Sequence, residues 1–327
     1  MSLASSVSAT AFNAIPIIDL SQANGSNDQR KALALQIQKA CIDVGFFYIE
    51  NHGIPQPIII NILSAIQAYF ALPLETKMKL HHKTTPNFKG YSPLLDANID
   101  PAAGTQGDLH EGFELGWERL DSNADSKRKN DGVMTGSNLW PDEPAGFREA
   151  MLGYYHAAIA VGEVLFPLFA LALELPERYF DDKTKNSAAI MRTIHYPPQN
   201  NPKDVGIGAH TDFECFTILY QQSNVQALQV LNADKKWINA PPIDGTLVIN
   251  IGDQLARWTN DVFKSTVHRA INVPGVERYS IPLFFGTDYD VDIQPIPSCV
   301  STERPAKYEA ITAGEYVKQR LEAMYNH

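Results

Sequence analysis

From residue 188 onward the chain is a succession of short apolar or alternating runs: AAIMRTIHY, FTILYQ, ALQVL, LVINIG, STVHRAI and YSIPLFFG. Gly, Pro, Asn and Asp punctuate them. Runs of this length and spacing are too short for packed helices and read as strands of an antiparallel sandwich or barrel. This half of the chain therefore sets the expected fold class: mainly β, with flanking helices.

The flanks carry the other periodicity. Asp28 to Val44 places Leu33, Ile37, Cys41 and Val44 at helical spacing, and Gly45 ends the helix. IPIIDL at 15–20 and FFYIE at 46–50 read as strands, with NHGIP as a turn, and a further helix is expected over 57–70. Residues 81–140 lack periodicity and read as long loops with short strands, a feature usually tied to function. A long helix is expected over 144–174, bent near Pro167, and another over 306–325. The expected segments are a flexible tail at 1–14, a helical and loop region at 15–140, long helices at 141–187, a β core at 188–300 and a C-terminal helix at 301–327. The 81–140 loops and the last helix are expected at the mouth of the barrel. No internal repeat or low-complexity segment is present.

Composition narrows the partners. Hydrophobic residues make up 44% and charged residues 20%, enough apolar material for a sizeable core, and the net charge is -10. An acidic chain lacks the basic footprint that nucleic acid demands; the one tight basic cluster, SKRKN at 126–130, reads as a solvated loop. Cys41, Cys215 and Cys299 are odd in number and far apart, which suits a reducing cytoplasm rather than a disulfide framework. The first residues lack the basic and apolar regions of a secretory signal. The longest apolar stretch, Ala157 to Leu173, is interrupted by Gly162, Glu163 and Pro167 and falls short of the roughly 20 residues of a membrane span. A buried core helix is expected there. No obligate protein partner is evident.

Within the β region, His210 and Asp212 stand two apart, so on a strand both would face one cavity. His268 lies in another strand-like run, STVHRA. Two imidazoles and one carboxylate on one face of a metal leave positions open, the pattern of non-haem Fe(II) oxygenases; a zinc hydrolase can use the same set. Arg278 and Ser280 share a strand face just downstream. An Arg fork with a neighbouring hydroxyl suits a carboxylate, so metal trio and fork together suit a dicarboxylate. Other polar residues read more plainly. His52 reads as a turn residue and His81-His82 as exposed. His110 and Glu111, adjacent on a strand, point to opposite faces.

The segments GIGAHTDFECFTIL, NIGDQLARWTNDVFKSTVHRAI and RYSIPLFFG, with IPIIDLS and CIDVGFFYIENHGIP upstream, resemble the isopenicillin N synthase-like family of 2-oxoglutarate/Fe(II) dioxygenases. The resemblance runs from about 15 to 325 and has the texture of fungal members, including thymine 7-hydroxylase-like enzymes. It implies a double-stranded β-helix, or jelly roll, with His210, Asp212 and His268 as iron ligands. It implies that Arg278, Ser280 and Tyr196 bind 2-oxoglutarate; Ile194 stands where many members have Asn. Arg192, on the strand face of Tyr196, is a candidate substrate anchor, and Phe113, Phe213 and Phe285 are candidate substrate-wall residues. The implied reaction uses Fe(II), 2-oxoglutarate and O2, releases succinate and CO2, and hydroxylates, desaturates or cyclises a small molecule, with secondary metabolism as the setting. Two alternatives stay open: a 2-oxoglutarate-independent oxidase of the isopenicillin N synthase type, and an inactive binding relative.

Overall fold

Ser26 and Gln29 close a reciprocal capping box: Gln29 N donates to Ser26 Oγ at 3.4 Å, and Ser26 N donates to Gln29 Oε1 at 2.7 Å. This satisfies donors left open at a helix start and launches helix α1, Asn27–Asp43. Gly45 ends the approach to the next strand with φ +76, and a Cβ there would lie 2.2 Å from the Lys264 carbonyl oxygen. No other residue fits this turn without displacing backbone.

In the computed structural model the described residues are Leu3, 11–100, 107–120, 135–198, 205–271 and 275–325. Most of the expected tail, and the SKRKN cluster, lie outside them. In chain order the strands and helices are β1 (Ile17–Asp19), α1, β2 (Phe46–Glu50), α2 (Gln56–Phe70), α3 (Leu74–Met78), β3 (Gly90–Ser92) and β4 (Glu111–Leu115). There follow α4 (Phe147–Ala172), β5 (Ala189–Tyr196), β6 (Ile207–His210), β7 (Phe216–Gln221), β8 (Leu228–Leu231), β9 (Trp237–Asn239) and β10 (Thr246–Ile251). The last are α5 (Asp253–Trp258), β11 (His268–Ala270), β12 (Arg278–Phe285), β13 (Asp292–Ile293), β14 (Ile311–Thr312) and α6 (Ala313–Tyr325).

A major sheet runs β1-β2-β10-β7-β12-β5-β4-β3, and a minor sheet runs β6-β11-β8-β9. All pairings in both are antiparallel except β1 with β2. This is a jelly roll, and strands from both halves of the chain build its larger sheet. The outer face of that sheet carries the main core, with Tyr279, Ile281, Leu283 and Phe285 of β12 buried in the same cluster as Phe166 and Phe169 of α4. Ring centroids of Phe166 lie 5.1 Å from Phe216 and 5.6 Å from Phe285. Helix α4 also packs on α1 and α2. It is long and apolar enough to cross a membrane by length and composition, exceeding the interrupted stretch read from the sequence, but its buried side chains make it the core helix. Pro167 lies inside this helix.

Two expectations shift. The C-terminal helix starts at Ala313 rather than 306, because Ile311–Thr312 first pair with β13. His82 is buried rather than exposed: its Nε2 lies 2.5 Å from Asp96 Oδ2, which draws the ring inward.

Candidate active site

His210 ends β6 and His268 begins β11, and the two are direct cross-strand partners. Adjacent antiparallel strands thus set both imidazoles side by side, ring centroids 4.3 Å apart. Asp212 follows β6 by two residues. Its Oδ1 lies 3.6 Å from His210 Nε2 and 3.7 Å from His268 Nε2. One donor atom from each of the three lies within 4.8 Å of the others.

Neighbours fix the chemistry of each donor. His210 Nδ1 donates to the Gly208 carbonyl at 2.8 Å, and His268 Nδ1 to the Thr266 carbonyl at 3.1 Å. A carbonyl can only accept, so both Nδ1 atoms carry the proton and both Nε2 lone pairs face the centre. Asp108 braces the first of these contacts, since its Oδ1 accepts from Gly208 N at 2.9 Å. Burial, then the neighbouring His268 charge, pull the His210 pKa down to about 4, which keeps the ring neutral. Burial pushes Asp212 up, but the two imidazoles and two hydrogen bonds outweigh it and hold the carboxyl below its ordinary value. Those bonds come from Asn250 Nδ2 at 2.7 Å and Thr217 Oγ1, both onto Oδ2. Oδ2 is thereby occupied and Oδ1 left for the centre.

A chamber with an empty volume of about 1130 Å³, open mouth included, spreads from this trio between the sheets. Arg278, Ser280, Pro282 and Phe284 of β12 face it, as do Ile190, Arg192, Ile194 and Tyr196 of β5. Phe213 lines it as well. Phe88 and Ile99 from the loop region and Val317 and Leu321 from α6 complete the wall, which puts the described parts of those loops and the last helix against the chamber.

Arg278 is 2% exposed, and its Nε and Nη1 find no hydrogen-bond partner among the described residues. Its guanidinium lies over the Tyr196 ring, 4.7 Å from the centroid. A buried guanidinium with unsatisfied donors is costly unless an anion meets it. The donor set therefore fits both groups: a one-carboxylate, two-imidazole face for Fe(II), and an arginine awaiting a carboxylate.

Two expected wall residues are elsewhere. Phe113 is fully buried in the core against Tyr69 and Phe147, with centroids at 5.2 and 5.3 Å, and Phe285 is buried against Phe166 and Phe216. Both occupy the opposite strand face from the chamber; Phe284, one residue earlier, lines it instead. His110 and Glu111 do diverge. Glu111 turns to Lys77 Nζ and His195 Nδ1, each at 2.7 Å, while His110 meets Arg192. Sequence reasoning missed Glu114, Thr217 and Asn250. Glu214, also on the wall, was missed too; burial pushes its carboxyl up to about 8.

Comparison with known proteins identifies the family. Residues 15–143 match the family described as non-haem dioxygenase in morphine synthesis N-terminal, and residues 187–287 match the 2OG-Fe(II) oxygenase superfamily. A 2-oxoglutarate-Fe(II) type oxidoreductase, hxnY, of Emericella nidulans is 37% identical over 96% of this chain and 91% of its own length. A homoarginine-6-hydroxylase of Oryza sativa subsp. japonica is 32% identical over 95% and 97%. The crystal structure of a full-length Neurospora crassa protein in complex with alpha-KG and 5-formyluracil superposes with a TM-score of 0.81 at 32% identity, covering 95% of this chain and 96% of that one. The chain belongs to the 2OG-Fe(II) oxygenase superfamily. It is an enzyme, an Fe(II)- and 2-oxoglutarate-dependent dioxygenase acting on a small molecule, and the oxidase and inactive-relative alternatives are not favoured.

Proposed function

We propose that His210 and His268 through Nε2 and Asp212 through Oδ1 hold the Fe(II), and that Arg278, Ser280 and Tyr196 hold the distal carboxylate of 2-oxoglutarate. The observation carrying this reading is the buried Arg278 with unsatisfied donors in the same chamber as the trio. Fe(II) and 2-oxoglutarate together supply the activation of O2 for C–H oxidation, with succinate and CO2 as by-products. The chain supplies the rest. Gly208 and Thr266 hold the imidazole protons away from the centre, and Asn250 and Thr217 keep Asp212 turned toward it. Apolar side chains, Phe88, Phe213, Phe284 and Leu321 among them, exclude water from the reacting end.

The substrate is a free small molecule bound against Phe213, Phe284 and Arg192, and the setting is secondary metabolism, in keeping with a family model described by morphine synthesis. Thymine, bound in a complex of the Neurospora protein, and homoarginine, in the plant hydroxylases' names, mark the range of nitrogenous compounds among the relatives. Three free cysteines support a reducing, cytoplasmic location, and the acidic chain supports no nucleic-acid partner.

Arg278→Lys tests the co-substrate assignment. Lysine keeps the charge but loses the planar fork. Loss of one charge-assisted hydrogen bond predicts a rise of roughly ten- to a hundredfold in the KM for 2-oxoglutarate, read from succinate release. An unchanged KM would remove Arg278 from the site.

A further inference from the structure

One polar group on the chamber wall serves neither iron nor 2-oxoglutarate. His110, Gly112 and Glu114 alternate along β4 and its approach, so they share one face. Arg192, paired with Glu114 across the strands, lies over them. Its Nη2 donates to His110 Nε2 at 3.1 Å, and its Nε is 3.3 Å from Glu114 Oε1. Between the two, a Cβ on Gly112 would lie 2.6 Å from the Arg192 Nε, so only glycine leaves room for this crossing. His110 can accept because its Nδ1 donates to the Gly206 carbonyl at 2.8 Å. Burial, then the Arg192 charge, bring its pKa down to about 3 and keep it neutral.

Glu114 meets Arg192 through Oε1 as an ion pair rather than a hydrogen bond. No hydrogen bond to its other oxygen is found among the described residues, and Glu114 lines the chamber together with Ile190, Ile194 and Phe284. A carboxylate oxygen open to such a chamber is a ready acceptor for a donor that a bound molecule brings. Its charge is already offset by Arg192, so a cationic ligand would meet both signs. A neutral N–H satisfies the oxygen without bringing a further charge out of water.

We propose that Glu114 is a specificity-determining residue that accepts a hydrogen bond from a substrate N–H, and that the substrate is a neutral, largely apolar molecule of the lactam or ring-amide class. This rests on reading the chamber beside the iron as the substrate site.

Bicyclic probes of similar size test it: 2-quinolone (neutral, N–H), N-methyl-2-quinolone (neutral, no N–H), 1,2,3,4-tetrahydroisoquinoline (cationic at neutral pH) and 2-naphthoate (anionic). Binding to the protein loaded with Fe(II) and 2-oxoglutarate is measured by calorimetry with dioxygen excluded. The expected result is that 2-quinolone binds at least about tenfold more tightly than the other probes, the worth of one hydrogen bond to a charged group. In Glu114→Gln that preference shrinks, and 2-naphthoate gains about tenfold because the Arg192 charge is no longer offset. A purely structural role would weaken all the probes alike. Equal binding of 2-quinolone and its N-methyl form, preference for the cation, an unchanged ranking in Glu114→Gln, or binding of none of the probes overturns the proposal. Failure of the wild-type protein to take up Fe(II) and 2-oxoglutarate overturns the underlying site reading instead, so the two failures are distinct.

Discussion

At the scale of single residues, the orientation of Asp212 depends on a pair of strands. Asn250 of β10 and Thr217 of β7 are cross-strand partners, and both donate to Asp212 Oδ2. Groups that orient a metal ligand typically set metal affinity by a factor of about ten to a hundred. Asn250→Ala should therefore weaken Fe(II) binding by that order in an anaerobic metal titration; an affinity equal to wild type would show that Asp212 needs no such support. The HxD spacing and His268 were legible because strand alternation aims i and i+2 at one side. Asn250 and Thr217 were not, since their common target follows from β10–β7 register, which one-dimensional spacing does not carry.

At the scale of elements, a one-residue difference decides which role a side chain has. Along β12 the chamber takes Arg278, Ser280, Pro282 and Phe284, while Tyr279, Ile281, Leu283 and Phe285 enter the core. Carrying the Arg278 face forward by twos reaches Phe284, and the expectation for Phe285 broke that rule. Along β4 the same step separates Glu114, on the chamber, from Phe113, in the core. The paired phenylalanines offer a direct contrast. Phe285→Ala should cost about 3–5 kcal/mol of stability, as core phenylalanine truncations do. Phe284→Ala should leave the unfolding midpoint close to wild type. Denaturant unfolding of both variants checks this, and equal losses would contradict the assignment of faces.

At the scale of the whole molecule, two sheets joined as a jelly roll bring together groups distant in sequence. His210, Asp212 and His268 come from the minor sheet and its exit, Arg278 and Tyr196 from the major sheet, and Val317 and Leu321 from the terminal helix. The β half was readable from its alternating runs, and the long helices from their apolar spacing. The loop region was not, because its contacts are tertiary: Asp108 reaches Gly208 and the backbone of Ile99, and the Asp96 carboxylate draws in His82. The proposed chemistry depends on the three donors at the centre, His210, Asp212 and His268. Its most direct test is the iron content of purified Asp212→Ala, with the fold verified by its unfolding midpoint and the wild type loaded in parallel. A folded Asp212→Ala protein that takes up no stoichiometric Fe(II) and releases no succinate is the predicted result; a folded variant with wild-type iron content and turnover would contradict it.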